Sequence, residues 1–443
     1  MDHQTLLGTT FACDCGRQHT VPTGAMHYSS EAFDHLLPTV EAIPGVAHCL
    51  LIADSRTYAA AGQLVEEKLR HGRAAVELFL VPDCEGESPV ADDKTKDLIL
   101  ARAPITDLFI AVGSGVINDL VKWVAFLRRK PYLCVATAAS MNGYASANVA
   151  ASIAGLKVLF HAEPCLALFS TPEILRDAPF NLTASGLGDV LAKTVSSADW
   201  KLNHFLFNDY YCRFSVDLLK DLEPVYLNNP VGIRTQDPAA MRALFEALFF
   251  SSVAMTITGT SSPASGGEHL ISHTLDMLAA RDGGRHDLHG RQVGVASILM
   301  AALYEKVLAI ECPVFGEVPR QVDEHFWGKL TPVVAKEYEK KLPRYRRVAD
   351  SLSRPGTWQR LRELLRTDMV SAAKLKNCLA KAGAAHRIGD IDHFDAPLTR
   401  DKLLAVVRNA NQMRERFTIL DLAMLLGLIP DALDDLVDGW LGG

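Results

Sequence analysis

The sequence predicts an α/β domain built on a parallel sheet, followed by an all-α helical domain. Three observations carry this. Between about residues 46 and 170, buried-strand patterns alternate with amphipathic helical patterns, which implies right-handed βαβ units. From about residue 172 onward nearly every segment has helical period. Finally, 443 residues, 49% of them apolar, can bury two cores, because single cores stop growing near roughly 250–300 residues. The expected division is 1–175 for the α/β, dinucleotide-binding domain and 176–443 for the helical domain, which would bind metal and substrate.

The elements follow in order. "VAHCLLIADS" reads as a buried strand and "TYAAAGQLVEEKLRHG" as an amphipathic helix ending in glycine. "AAVELFLVPD" is a second strand and "DDKTKDLILARA" a helix. "TDLFIAVGSG" is a third strand, running into the helix "VINDLVKWVAFLRRK", and "PYLCVATAAS" is a fourth strand. The strand signal fades after "KVLFHAEPCLALFST", which places the boundary near "STPEILRDAPF". Beyond it, "SSPASGG", "RDGGRHDLHG", "LSRPG" and "FDAPLTR" punctuate helical segments.

Charge and composition exclude several functions. A net charge of −7, with basic residues interspersed among acidic ones, argues against nucleic acid or an anionic membrane as partner. The start "MDHQTLLGTTFACDCG" lacks the charged head and apolar core of a secretory signal. The runs "VGVASILMAALY" and "LAMLLGLI" fall short of the roughly 20 residues that span a bilayer. A soluble cytoplasmic protein is expected, and nine scattered cysteines fit reduced thiols there. One cluster, "CDCGRQH", gathers Cys13, Cys15 and His19. It reads first as a structural turn. A zinc site is the lesser alternative, because C-x-C is tight and no fourth ligand lies nearby in sequence.

Three constellations bear chemistry. In "VGSGVINDL" a strand meets a glycine-rich turn, Gly113-Ser114-Gly115, that opens a helix carrying Asn118 and Asp119. Glycines let backbone approach a phosphate, and free amides at a helix start favour an anion. The third glycine of G-x-G-x-x-G is missing. Asp54 ends an earlier strand, where a carboxylate serves either an adenosine ribose or the cap of the next helix. In "ASGLGDVLAKTVSSADWKL", Lys193 follows Asp189 by four residues, so the two share a helical face, as a surface pair or as something less ordinary. In "SPASGGEHLISHTLD", His269 and His273 stack one turn apart, and His289 opens a later helix. Singly, each histidine reads as an ordinary core or surface residue. With Asp189, one carboxylate and two imidazoles suit a catalytic divalent ion.

Together "GSGVIND", "TAASMNGYAS", "SGLGDVLAK", "PASGGEHLISH" and "LHGRQVGV" fall in one order. They resemble the bacterial branch of the sn-glycerol-1-phosphate dehydrogenase family. That family lies within the group of iron-type alcohol dehydrogenases, glycerol dehydrogenase and 3-dehydroquinate synthase. The likeness covers roughly residues 10 to 310, and the tail beyond carries no motif of its own. It implies a dehydroquinate synthase-like fold whose N-terminal sheet is Rossmann-like. It implies one divalent metal ion on Asp189, His269 and His289, zinc first, with nickel or iron also compatible. NAD would rest on Gly113, Ser114, Gly115 and Asp119, with Thr137 and Ser140 at the nicotinamide end and Asp54 favouring NAD over NADP. His273, Asn142 and Lys193 would form the catalytic surroundings, His273 as proton relay. The implied reaction interconverts dihydroxyacetone phosphate and sn-glycerol 1-phosphate, a step of phospholipid biosynthesis. A homo-oligomer, taken as a homodimer, is expected.

Two positions depart from the family pattern. Asn142 stands where "SMDGY" would have aspartate, and Ser262 where "SRPASG" would have arginine. Both bear on the substrate more than on fold or metal. The competing reading is a 3-dehydroquinate-synthase-like cyclase using NAD transiently, since "EHLISH" echoes a synthase histidine pair. Aspartate at 189, where the synthases carry glutamate, favours the dehydrogenase.

Overall fold

A computed structural model describes residues 3–84, 88–153, 156–367 and 369–442. The chain packs into two compact units. Unit 1 comprises residues 1–186 and 214–260, and unit 2 comprises residues 187–213 and 261–443. The strands of the parallel sheet end at Ser170, but the units do not follow a single cut near 175. The chain leaves unit 1, returns to it for residues 214–260, and leaves again.

Unit 1 is organised by a six-stranded parallel sheet. Its strands are β3 (Ala25–Tyr28), β4 (His48–Ala53), β5 (Ala75–Leu80), β6 (Leu108–Val112), β7 (Tyr132–Val135) and β10 (Ala167–Ser170). The spatial order is β3-β10-β7-β6-β4-β5, and every pairing is parallel. Strands β6, β7 and β10 are buried at every residue. That is why they read as unbroken apolar runs rather than alternations: both faces of a parallel sheet are covered. The longer helices between the strands are α1 (Gln63–Arg70), α2 (Asp93–Arg102) and α3 (Gly115–Arg128). Val65 and Leu69 pack with Leu51, Ile110, Val112, Leu133 and Phe169 in one core.

Three strand features escaped the pattern reading. Edge strand β3 has only four residues. The hairpin β1 (Thr10–Ala12) with β2 (Gln18–Thr20) and the antiparallel pair β8 (Asn148–Ile153) with β9 (Leu156–His161) lie outside the main sheet. A further helix of unit 1, α6 (Pro238–Thr258), packs Phe245 against Tyr28 of β3 and against Tyr144.

Unit 2 is helical. Helix α4 (Phe180–Leu191) runs through the cut at 186, and α5 (Lys193–Phe207) follows it. The long elements after residue 260 are α7 (Gly267–Asp282), α8 (His289–Ala309), α9 (Thr331–Leu352) and α10 (Ala372–Ala382). The tail is part of this core. Lys341 and Asp421, both with fully buried side chains, pair at 3.1 Å, and Tyr345 and Asn411 also bond the same carboxylate.

Helices α6 and α8 are 21 residues each and apolar enough to cross a membrane by length and composition. Their apolar windows are 78% and 83% buried within the fold, which is how core helices behave.

Candidate functional site

In unit 1 the strand order reverses between β4 and β6: β5 lies on one side of β4, and the chain then returns to the other. Ligands of open parallel sheets bind outside the carboxyl ends of the strands at such a switch point. Asp54 follows β4 directly, and Gly113-Ser114-Gly115 follows β6 directly. The two features singled out in sequence therefore flank one crevice mouth.

The local geometry suits an anion. Helix α3 begins after Ser114, whose side chain makes no capping bond. Ser114 Oγ instead contacts Ser140 Oγ, and lies 3.2 Å from Tyr144 Oη. The first-turn amides of α3 thus have no serine cap competing with a phosphate. Glycine is needed at 113, because a Cβ there would stand 2.5 Å from Ile117 Cβ. Where a third glycine would complete the fingerprint stands Asn118, fully buried, donating to Gly143 O at 3.3 Å. Asn118 thus fastens the loop after β7, which also holds Asn142.

Asp119 and Lys122 do the same work. The buried Lys122 ammonium lies 3.2 Å from Asp119 Oδ1 and donates to Gly143 O and Asn148 O at 2.8 and 3.0 Å. Asp119 Oδ2 accepts from the Ala150 amide at 3.2 Å. Thr137 and Ser140, both buried, lie in the segment after β7. Of the two sequence readings of Asp54, the cap is present: Oδ1 accepts from the Arg56 and Thr57 amides at 2.9 and 2.8 Å. Both bonds use one carboxylate oxygen, so capping leaves room for a second duty.

Unit 2 brings together Asp189, His269 and His289, with ligand atoms all within 4.8 Å of one another. The approach of two helices makes this possible. A Cβ on Gly188 would stand 2.0 Å from Gly290 O, and one on Gly294 would stand 3.0 Å from Gly188 Cα. Glycines in α4 and α8 therefore let the backbones touch, bringing Asp189, the next residue of α4, close to the start of α8, where His289 stands.

Each imidazole is oriented by its other nitrogen. His269 Nδ1 lies 2.7 Å from Glu268 Oε1, while its Nε2 lies 3.6 Å from Asp189 Oδ1. His289 Nδ1 lies 3.0 Å from Ser272 Oγ, and Ser272 donates to Gln292 Oε1 at 2.7 Å. With each Nδ1 taken up by a hydrogen-bond partner, each Nε2 is left for an ion, which in His269 would displace the Nε2 proton, the arrangement that metal-ligating histidines adopt. The electrostatics agree. Burial pulls the His269 pKa down, but the hydrogen bonds and charges of Asp189 and Glu268 outweigh it and raise the pKa to about 9. A pocket that holds a buried imidazole protonated is one that favours a cation. The donor set fits a divalent ion.

His273 also arrives here, its ring stacked on His289 at 5.4 Å between centroids. His273, Asp276 and His289 form an overlapping set of donors, but Asp276 also faces His286 Nδ1 at 3.3 Å. Asp189 and Lys193 are 1% and 4% exposed, so they are no surface pair. Nor do they share one helix, since α4 ends at Leu191 and α5 begins at Lys193.

The supporting shell was not visible in sequence. Asp199 accepts from the Gly267 and Ile419 amides, both at 2.7 Å, and from Tyr304 at 2.5 Å. Burial first, and Glu268 second, push its carboxyl up to about 7. Arg416, from the tail, donates to Ser265 O and to Ser261 Oγ, the latter at 3.0 Å, and so holds the loop that contains Ser262. Only the adjacency of Glu268 to His269 offered any signal. Ser272, Gln292, Asp199 and Arg416 reach the site through tertiary packing.

Comparison with known proteins bears on the family and the fold. Residues 29–179 match the family described as iron-containing alcohol dehydrogenase. A glycerol-1-phosphate dehydrogenase [NAD(P)+] of Halalkalibacterium halodurans is 30% identical over 410 residues, 92% of this chain and 94% of that protein. One from Bacillus licheniformis is 28% identical over 427 residues, covering 96% and 95%. Among solved structures, the fold resembles glycerol dehydrogenase from Schizosaccharomyces pombe (TM-score 0.60, 17% identity, 94% of this chain and 90% of that one). It also resembles maleylacetate reductase from Agrobacterium tumefaciens (TM-score 0.60, 14% identity, 98% and 97%). The fold class expected from sequence is the one observed.

Proposed function

The chain belongs to the glycerol-1-phosphate dehydrogenase family, and from that premise we propose that it interconverts dihydroxyacetone phosphate and sn-glycerol 1-phosphate. It is a dehydrogenase using NAD(P) and a metal ion. The observation that carries the reading is the meeting of Asp189, His269 and His289, with both imidazoles aimed by their own hydrogen-bond partners. Relatives named as dehydrogenases over nearly the whole chain leave the cyclase alternative without support.

When bound, the metal would polarise the substrate oxygen and the nicotinamide would give or take the hydride. The protein's own residues do the rest. Asp189, His269 and His289 hold the ion, which we take to be zinc, with nickel or iron compatible with the same donors. In unit 1 the Gly113–Gly115 turn offers amides to the cofactor phosphates, and Asp119 fixes the adjoining loop. Thr137 and Ser140 line the nicotinamide end, and Asn142 contributes a donor and an acceptor. Asp54 favours NAD, since a carboxylate accepts ribose hydroxyls and repels a 2′-phosphate. His273, stacked on a ligand histidine, relays the alcohol proton. Lys193 adds a buried cation beside the helix that carries Asp189. We further propose a cytoplasmic homodimer, which sedimentation of the purified protein tests.

The deciding experiment supplies metal-reconstituted protein with NADH and either dihydroxyacetone phosphate or unphosphorylated dihydroxyacetone. Preference for the phosphorylated ketone should appear in kcat/KM, since charge-assisted bonds to a phosphate contribute about 1.5–3 kcal/mol each. Equal rates on the two ketones, or none, would show that Ser262 and Asn142 mark another substrate. Ser262→Arg then tests whether the phosphate site has been weakened. Phosphate release without NADH oxidation would restore the cyclase.

A further inference from the structure

The hairpin β1–β2 carries a second donor cluster, outside the site just described. Cys13 and Cys15 sit in its turn and His19 on β2. The Sγ atoms of Cys13 and Cys15 and a ring nitrogen of His19 lie within 4.8 Å of one another. Cys15 Sγ is 3.3 Å from His19 Nε2. In a tetrahedral zinc site, bonds of about 2.3 Å to sulfur and 2.0–2.1 Å to nitrogen set donor atoms roughly 3.5 Å apart, so this pair already stands at coordination spacing.

The turn is shaped to present these donors. The Cys13 amide donates to Arg17 O at 3.0 Å, and the Gly16 amide returns to Cys13 O at 2.9 Å. Gly16 has φ +82°, a left-handed conformation that glycine adopts without a Cβ clash. Register then sets Phe11 opposite His19, and the two rings meet edge-on at 5.6 Å.

The decisive detail is the far side of the histidine. His19 is 1% exposed, and its Nδ1 lies 2.7 Å from the carbonyl of Ile257, near the end of α6. A carbonyl only accepts, so Nδ1 carries the proton and Nε2 presents its lone pair toward Cys15. A backbone carbonyl fixing the tautomer of a buried histidine is the support that metal ligands receive. A histidine that merely filled the core would not need a thiol at its other nitrogen and a second one in the same cluster. No disulfide joins the two cysteines.

We propose that Cys13, Cys15 and His19 bind a structural zinc ion, distinct from the ion of the active site. It would fasten the N-terminal hairpin to helix α6 through the His19–Ile257 bond, both within unit 1. Two thiolates and one imidazole supply three of four tetrahedral positions, and a further donor or water takes the fourth. The protein as purified would then hold two metal equivalents per chain.

The test separates the two sites. Wild-type protein, purified without chelator, is assayed for bound metal by mass spectrometry alongside Cys13→Ser/Cys15→Ser and His269→Ala. Each variant should hold one equivalent less than the wild type. The cysteine variant should keep the kcat of the dehydrogenase reaction while losing thermal stability. Should that variant fail to fold, cobalt substitution of the wild type still decides. Its near-ultraviolet charge-transfer absorption should have the intensity of at least two thiolates, which the Asp189, His269 and His289 site cannot supply. One equivalent in the wild type, absent only in His269→Ala, would overturn the proposal, as would a cobalt protein lacking thiolate absorption.

Discussion

The two proposed ligand sites are built by different means. In unit 1 the proposed cofactor site is made of backbone: strand ends, a glycine turn and the first amides of α3, with Asn118, Asp119 and Lys122 bracing the loop beside them. In unit 2 the proposed metal site is made of side chains, His269 held by its neighbour Glu268 in α7 and His289, at the start of α8, by Ser272 of α7. A backbone site tolerates sequence variation as long as the strand order and the glycines persist. A side-chain site depends on every member, because a misaimed imidazole loses the bond altogether. Substitutions should therefore cost more in unit 2 than in unit 1.

The largest effect expected is His269→Ala or His289→Ala. Losing an ion that provides several kcal/mol of charge stabilisation should lower kcat/KM roughly a thousandfold, with near-native circular dichroism. If either variant retains stoichiometric metal at the active site and activity, the contrast between the units collapses. Next in size is a pH effect on the metal-free protein. The folded-state pKa of His269 is raised to about 9 against 6.5 unfolded. The protonated form is thus the stabilised one, contributing about 3 kcal/mol at pH values below 6.5 and losing it as pH rises through 9. Thermal melts of chelator-treated protein between pH 6 and 9 should show that decline, and His269→Gln should flatten it. A melting temperature independent of pH would mean that Asp189 and Glu268 do not hold the proton there.

A smaller loss should follow from Glu268→Gln or Ser272→Ala, which leave the ligands but release their orientation. Metal affinity should drop about 10–100-fold, read by competition with a chromophoric chelator. Least of all, Asp54→Asn in unit 1 should shift the NADH over NADPH preference by about tenfold in KM. Asparagine caps a helix as well as aspartate does, so this variant keeps the fold and removes only the charge. If Asp54→Asn instead destabilises the protein without moving the preference, Asp54 is a cap alone.

The same contrast explains what sequence could reveal. Strands β4, β6, β7 and β10 were legible because a sheet covered on both faces imposes long apolar runs. Asp189, His269 and His289 were legible because their motifs occur in order, each with a glycine nearby. What escaped is what depends on distance along the chain. Asp199 meets Ile419 across 220 positions, and Arg416 meets Ser265 across 151, and no local pattern encodes such pairs. The return of residues 214–260 to unit 1 escaped for the same reason, since a helix looks alike in sequence whichever core it joins.

That return has a consequence for synthesis. The last strand of the sheet, β10, leaves the ribosome long before α6, whose Phe245 packs on Tyr28 and whose Ile257 carbonyl anchors His19. At roughly 5–20 residues per second, the nascent sheet waits several seconds for this helix, with the start of the second unit already emerging between them. During that interval the surfaces of β3 and of the N-terminal hairpin that α6 will cover are open to chaperones, and a ribosome pausing before residue 258 would lengthen that exposure.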